Sequence, residues 1–108
     1  MPIKTLSATD LDKWIDSNLV AVVDVRPREA FIEGHIEGAT NIPLTEVTLD
    51  KVLPLAEGGK KLVMNCFIGK SSMTACEKVL IEDDIEIWSL EGGIEAWKKA
   101  GLPLEAAT

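Results

Sequence analysis

The chain has 108 residues, the size of one domain that buries its own core. Its hydrophobic fraction of 46% and charged fraction of 27% are ordinary for a soluble globular protein. A net charge of −7 argues against nucleic acid as partner, because phosphates need a basic footprint.

The same charge argues against whole-surface steering of anionic substrates, although positive potential can persist locally around Lys70 and a helix start. No apolar run approaches the roughly 20 residues that a membrane span requires. Residues 1–5 hold no apolar core of a secretory signal, so a cytoplasmic location is expected, without a membrane partner. Two cysteines, Cys66 and Cys76, are too few for a disulfide framework and imply a reducing compartment. With a lone His35 they match no zinc ligand set, and no metal is expected.

In chain order, residues 3–6 read as a short first strand. Ser7 reads as an N-cap, with Asp10 three residues on and Leu11, Trp14 and Ile15 at helical spacing. Residues 20–25 form a near-continuous apolar run, the pattern of a strand buried on both faces. Pro27 opens a short helix that runs through Phe31. Residues 34–38 read as a loop, and 41–44 as a short extended piece because Ile42 precedes a proline. Residues 47–53 read as a short helix. Gly58 and Gly59 turn the chain into a strand over 62–65. A small polar turn over 69–72 precedes a helix over 73–81, a strand follows over 85–88, and a last helix spans 94–99. Gly101 ends that helix, with Pro103 just beyond. Alternating strands and helices predict an α/β fold on a mainly parallel sheet. Such sheets bind ligands at the carboxyl ends of their strands, where Asp24, Cys66 and residues 90–93 all fall.

Cys66 ends one of those strands and stands just before a helix start. Backbone N–H groups and the positive end of a helix dipole favour an anion there, and a thiolate or a persulfide is such an anion. A dipole alone contributes about 0.3–1 kcal/mol, so activation calls for converging N–H donors from Phe67 through Ser72 and for the Lys70 charge. Gly69 lets the loop turn, while Phe67 and Ile68 shape its mouth. Cys76 shares a helical face with Met73, Val79 and Leu80 and reads as core. Trp14, Trp88 and Trp97 read as packing residues.

Three blocks together resemble the rhodanese domain family. Residues 24–31, running into 34–43, are similar to its D-x-R…E-F…G-H-I-x-G-A-x-N-I-P signature. The second block is the Cys66 loop. Residues 90–97 with 101–103 are similar to its L-x-G-G-x-x-A-W…G-x-P pattern. The resemblance covers nearly the whole chain and implies a single domain over 1–108. It implies a five-stranded, mainly parallel sheet flanked by helices on both faces.

It further implies a sulfurtransferase that needs no cofactor and carries a sulfane sulfur as a persulfide on Cys66. The donor would be thiosulfate or a protein persulfide, and the acceptor cyanide or a thiol. Phe67, Ile68, Gly69, Lys70, Ser71 and Ser72 would form the substrate-binding loop. Asp24, Arg26 and His35 would support it, His35 through structural hydrogen bonds rather than as a general base. The chain departs from many active members at Ser71, where they carry an arginine whose fork grips an oxyanion. A rival reading is therefore a persulfide carrier or interaction module with little turnover of small donors. Phosphatase chemistry on a related loop would need both that arginine and one more loop residue.

Overall fold

The computed structural model describes residues 3–106; Met1, Pro2, Ala107 and Thr108 lie outside the described residues. Five short runs become strands β1 (Lys4–Leu6), β2 (Val20–Asp24), β3 (Thr40–Asn41), β4 (Lys61–Asn65) and β5 (Ile87–Leu90). They form one sheet in the order β1-β5-β4-β2-β3, every pairing parallel. Helices α1 (Ala8–Asp16) and α5 (Gly93–Lys99) supply residues to one core cluster, with Leu6, Leu11, Val22, Val63 and Trp97. Helices α3 (Leu49–Val52) and α4 (Lys70–Glu82) supply the other, with Val23, Met64, Cys66, Cys76 and Ile87. Neighbouring residues of β4 enter opposite clusters, Val63 one and Met64 the other, so the strand is buried on both faces. Each fully buried large aliphatic side chain contributes about 1.5–3 kcal/mol. No helix of the described residues is long and apolar enough to cross a membrane.

The local signals explain the elements. The Ser7 side chain accepts the Asp10 amide at 3.1 Å and caps α1. Gly101, at φ 75°, ends the chain's last helical stretch. Helix α2 (Arg28–Glu33) starts one residue after Pro27, which is its N-cap, and runs two residues past Phe31.

The structure corrects other boundaries. Helix α4 begins at Lys70, so Lys70, Ser71 and Ser72 form its first turn rather than a separate turn. The bend spans Phe67–Gly69, and Gly69 at φ 98° takes its left-handed position, so the helix starts at the next residue. β5 lies two residues later than expected, because its Ile87 pairs with Leu62 near the start of β4. Ile85 and Ile87 fit the same strand period, so sequence alternation alone cannot set this register. Residue 44 is not extended: Leu44–Glu46 is a 3₁₀ turn, and β3 covers Thr40–Asn41. The expected helix over 47–53 is shorter, Leu49–Val52, and continues as a 3₁₀ turn over Leu53–Ala56. His35, expected in a plain loop, makes an isolated antiparallel bridge with Glu105.

β2 and β4 lie side by side, and the chain leaves β2 towards β3 but β4 towards β5. The crevice outside their carboxyl ends is thus a switch point of the sheet, the place such sheets bind ligands.

Candidate active site

Cys66 follows β4 directly and lies at that crevice. Its carbonyl accepts the Ile94 amide at 2.8 Å, and the Phe67 carbonyl accepts the Glu95 amide at 3.1 Å. The first turn of α5 therefore holds two loop carbonyls on one side. No described peptide bond is cis, and in a trans peptide the N–H points opposite its C=O. The Phe67 and Ile68 amides consequently face away from α5. The Gly69 amide donates to Cys66 Sγ at 3.1 Å, which places the sulfur inside the turn. Beneath it, Sγ lies 3.4 Å from the Ser72 hydroxyl. The Gly69 N–H, directed at the sulfur from just before a 13-residue helix, suits an anionic sulfur.

A cleft of about 350 Å³ opens over the sulfur. Pro27 lines one side, Leu44 and Thr45 another, and Cys66, Phe67 and Ser71 its floor and mouth. The Lys78 ammonium donates to the Leu44 carbonyl at 2.7 Å and so ties that wall to α4. Phe67 lines the cleft and is 46% exposed, while Ile68 beside it is 54% exposed and is not part of the lining.

Arg26 reaches the cleft, but its charge is already engaged. Its Nε and Nη2 donate to both oxygens of Asp24 at 2.8–3.1 Å, and Nη2 also donates to the Gly34 carbonyl at 2.7 Å. Its guanidinium carbon is 5.4 Å from the centre of the Phe67 ring. Asn41 Nδ2 donates to the Asp24 and Arg26 carbonyls and braces the same exit from β2.

Some of the expected residues stand outside the cleft lining. Lys70 is exposed and is not part of the cleft wall. His35 stacks on Phe31 at 3.8 Å, with Nδ1 2.8 Å from the Phe31 carbonyl and Nε2 3.2 Å from a Glu105 carboxylate oxygen. It joins the chain's C-terminal stretch to α2 and does not line the cleft. Ser72, expected in the substrate-binding loop, is fully buried and turned inward, whereas Ser71 lines the cleft. Sequence reasoning missed the wall at Leu44 and Thr45, which carries no chemical signature. It also missed Ser89, a polar residue in an apolar strand.

Cys76 is buried on the inner side of α4, its thiol directed at the Trp88 carbonyl at 3.4 Å. Burial, then the Glu77 and Cys66 charges, push its pKa up to about 12. It therefore stays a neutral thiol at physiological pH. Iodoacetamide at pH 8 is expected to label Cys66 alone in the native protein and both cysteines after unfolding, as read by peptide mass mapping.

The family model of the rhodanese-like domain matches residues 7–100, and the chain belongs to this family. It is 33% identical over 97 residues to the thiosulfate sulfurtransferase GlpE of Shewanella oneidensis, covering 90% of this chain and 94% of that one. The GlpE of Ectopseudomonas mendocina is 34% identical over 91 residues, covering 84% and 81%. Among solved structures, a rhodanese-related protein from Thermoplasma volcanium superposes with a TM-score of 0.78 at 32% identity, covering 94% and 97%.

Proposed function

We propose that residues 1–108 act as one sulfurtransferase domain whose Cys66 takes a sulfane sulfur from a donor and hands it to a thiophilic acceptor. The observation that carries this reading is the Cys66 sulfur at the base of an open cleft, accepting the Gly69 amide. With thiosulfate, the thiolate attacks the outer sulfur. A new S–S bond forms, the donor's S–S bond breaks, and its electron pair leaves on sulfite. Cyanide or a thiolate then attacks the terminal persulfide sulfur, and the bond to Cys66 breaks to return the thiolate. The Gly69 amide that meets the thiolate also suits the persulfide, which keeps the single negative charge.

After incubation with a sulfane donor, intact-mass measurement is expected to find one added sulfur on the wild type and none on Cys66→Ala. Equal modification of the variant would sink the proposal.

One observation favours a specific variant of this reading, a carrier fed by a protein persulfide. Among the described residues, Arg26 is the one cation on the cleft wall and is already held by Asp24, and the exposed side chains of Phe67 and Ile68 are apolar. A thiosulfate dianion therefore meets no free arginine, while a protein partner finds an apolar landing. Steady-state turnover of thiosulfate and cyanide separates the two: strong Cys66-dependent turnover supports the enzyme, and loading without turnover supports the carrier.

A further inference from the structure

Ser89 and Ser72 meet beneath the sulfur, out of reach of solvent. Ser89 sits on β5, on the face that packs against α4, and is 1% exposed; Ser72, in the first turn of α4, is 0% exposed. Their hydroxyl oxygens are 2.7 Å apart, and Ser72 Oγ continues to Cys66 Sγ at 3.4 Å. A hydroxyl rotates to donate or accept as its neighbours require. When the sulfur carries charge, it becomes a strong acceptor. Only one arrangement then serves every group: Ser89 donates to Ser72, and Ser72 donates to sulfur. The two hydroxyls polarise each other in that direction. The charged sulfur is thus held from the mouth side by the Gly69 amide and from below by a hydroxyl.

We infer that Ser89 is a positioning residue for sulfur transfer: its buried hydroxyl donates to Ser72 and thereby commits Ser72 to donate to the charged Cys66 sulfur. The inference rests on the sulfur-transfer reading for its purpose but not for its test. Ser89 acts only through Ser72. Removing both hydroxyls therefore does no more harm to the thiolate than removing the Ser72 hydroxyl alone.

The test is the pH profile of Cys66 alkylation by iodoacetamide, read by peptide mass mapping, which needs no sulfur donor. Ser72→Ala is expected to move the profile to higher pH by about one unit, slowing alkylation about tenfold at neutral pH. Ser89→Ala is expected to move it the same way, slowing the reaction by about threefold. The Ser72→Ala/Ser89→Ala double variant should match Ser72→Ala. Because a change at a buried site can disturb packing, Ser89→Thr and Ser89→Val supply a matched pair of equal shape. Thr should keep the wild-type profile and Val should shift it. An unmoved profile in Ser89→Ala, additive shifts in the double variant, or equal behaviour of Thr and Val would each overturn the inference. If the profiles move as expected but no sulfur is ever loaded, the sulfur-transfer proposal fails while this arrangement stands.

Discussion

Gly93→Ala is expected to destabilise the protein by about 2–5 kcal/mol and to disorganise the cradle around Cys66. A Cβ at this position would lie 2.5 Å from the Cys66 carbonyl oxygen and 2.6–2.7 Å from the Phe67 carbonyl group. Those are the two carbonyls that the first amides of α5 hold, so neither can yield without releasing a hydrogen bond. The backbone is also at φ +57°, a region that costs a non-glycine residue about 1 kcal/mol or more. Gly38 and Gly58 separate the two causes. Both have positive φ, at +81° and +80°, and neither would place a Cβ within 4 Å of anything. Gly38→Ala and Gly58→Ala are therefore expected to cost only the conformational strain, about 1 kcal/mol. Urea unfolding of the three variants measures the difference. Equal losses in all three would show that close approach to the Cys66 loop contributes nothing.

The elements most legible in the sequence were those written by a single residue's chemistry. Ser7 caps α1 because a hydroxyl there satisfies an orphan amide, and Gly101 ends the last helix because a positive φ suits glycine. The motif around Cys66 was legible for the same reason: a cysteine before a glycine and a helix start has few physical meanings. What escaped was set by pairing across the sheet. The register of β5 depends on which β4 residue faces Ile87, and alternation reads equally well two residues earlier. That slip hid Ser89, because a strand ending at residue 88 leaves it outside the sheet, whereas β5 runs on to Leu90 and holds it against α4. Likewise, Lys70 looked like the local charge by proximity in sequence. The helix turn carries it out of the cleft wall, and Arg26, forty residues before the cysteine, takes that place.

Arg26→Met is expected to destabilise the fold by about 3–5 kcal/mol, because it leaves the Asp24 carboxylate buried without its cation. Asp24 is 0% exposed and Arg26 5%, and their side chains are joined through three donor–acceptor contacts. Without the guanidinium, the Arg26 backbone amide at 3.0 Å is the carboxylate's remaining donor here. Asp24→Leu has the mirror defect, a buried guanidinium left with only the Gly34 carbonyl. Combining the two removes both charges, and the double variant is expected to recover most of the loss, since apolar pairs often replace buried ion pairs at little cost. A double variant as unstable as the sum of the singles would mean that the pair is not a closed unit. The recovered double variant then answers a question that neither single can. Its cleft lacks the one guanidinium on the wall, while the Cys66 loop is still held by α5. If an Arg26 already bound by Asp24 takes no part in holding an anionic donor, sulfur loading of this double variant from thiosulfate should stay within about threefold of wild type. A loss of a hundredfold or more, with the fold intact by thermal unfolding, would instead make the Arg26 guanidinium the missing grip on the oxyanion. Ser71, standing where many members carry an arginine, would then be compensated from the exit of β2 rather than left unfilled.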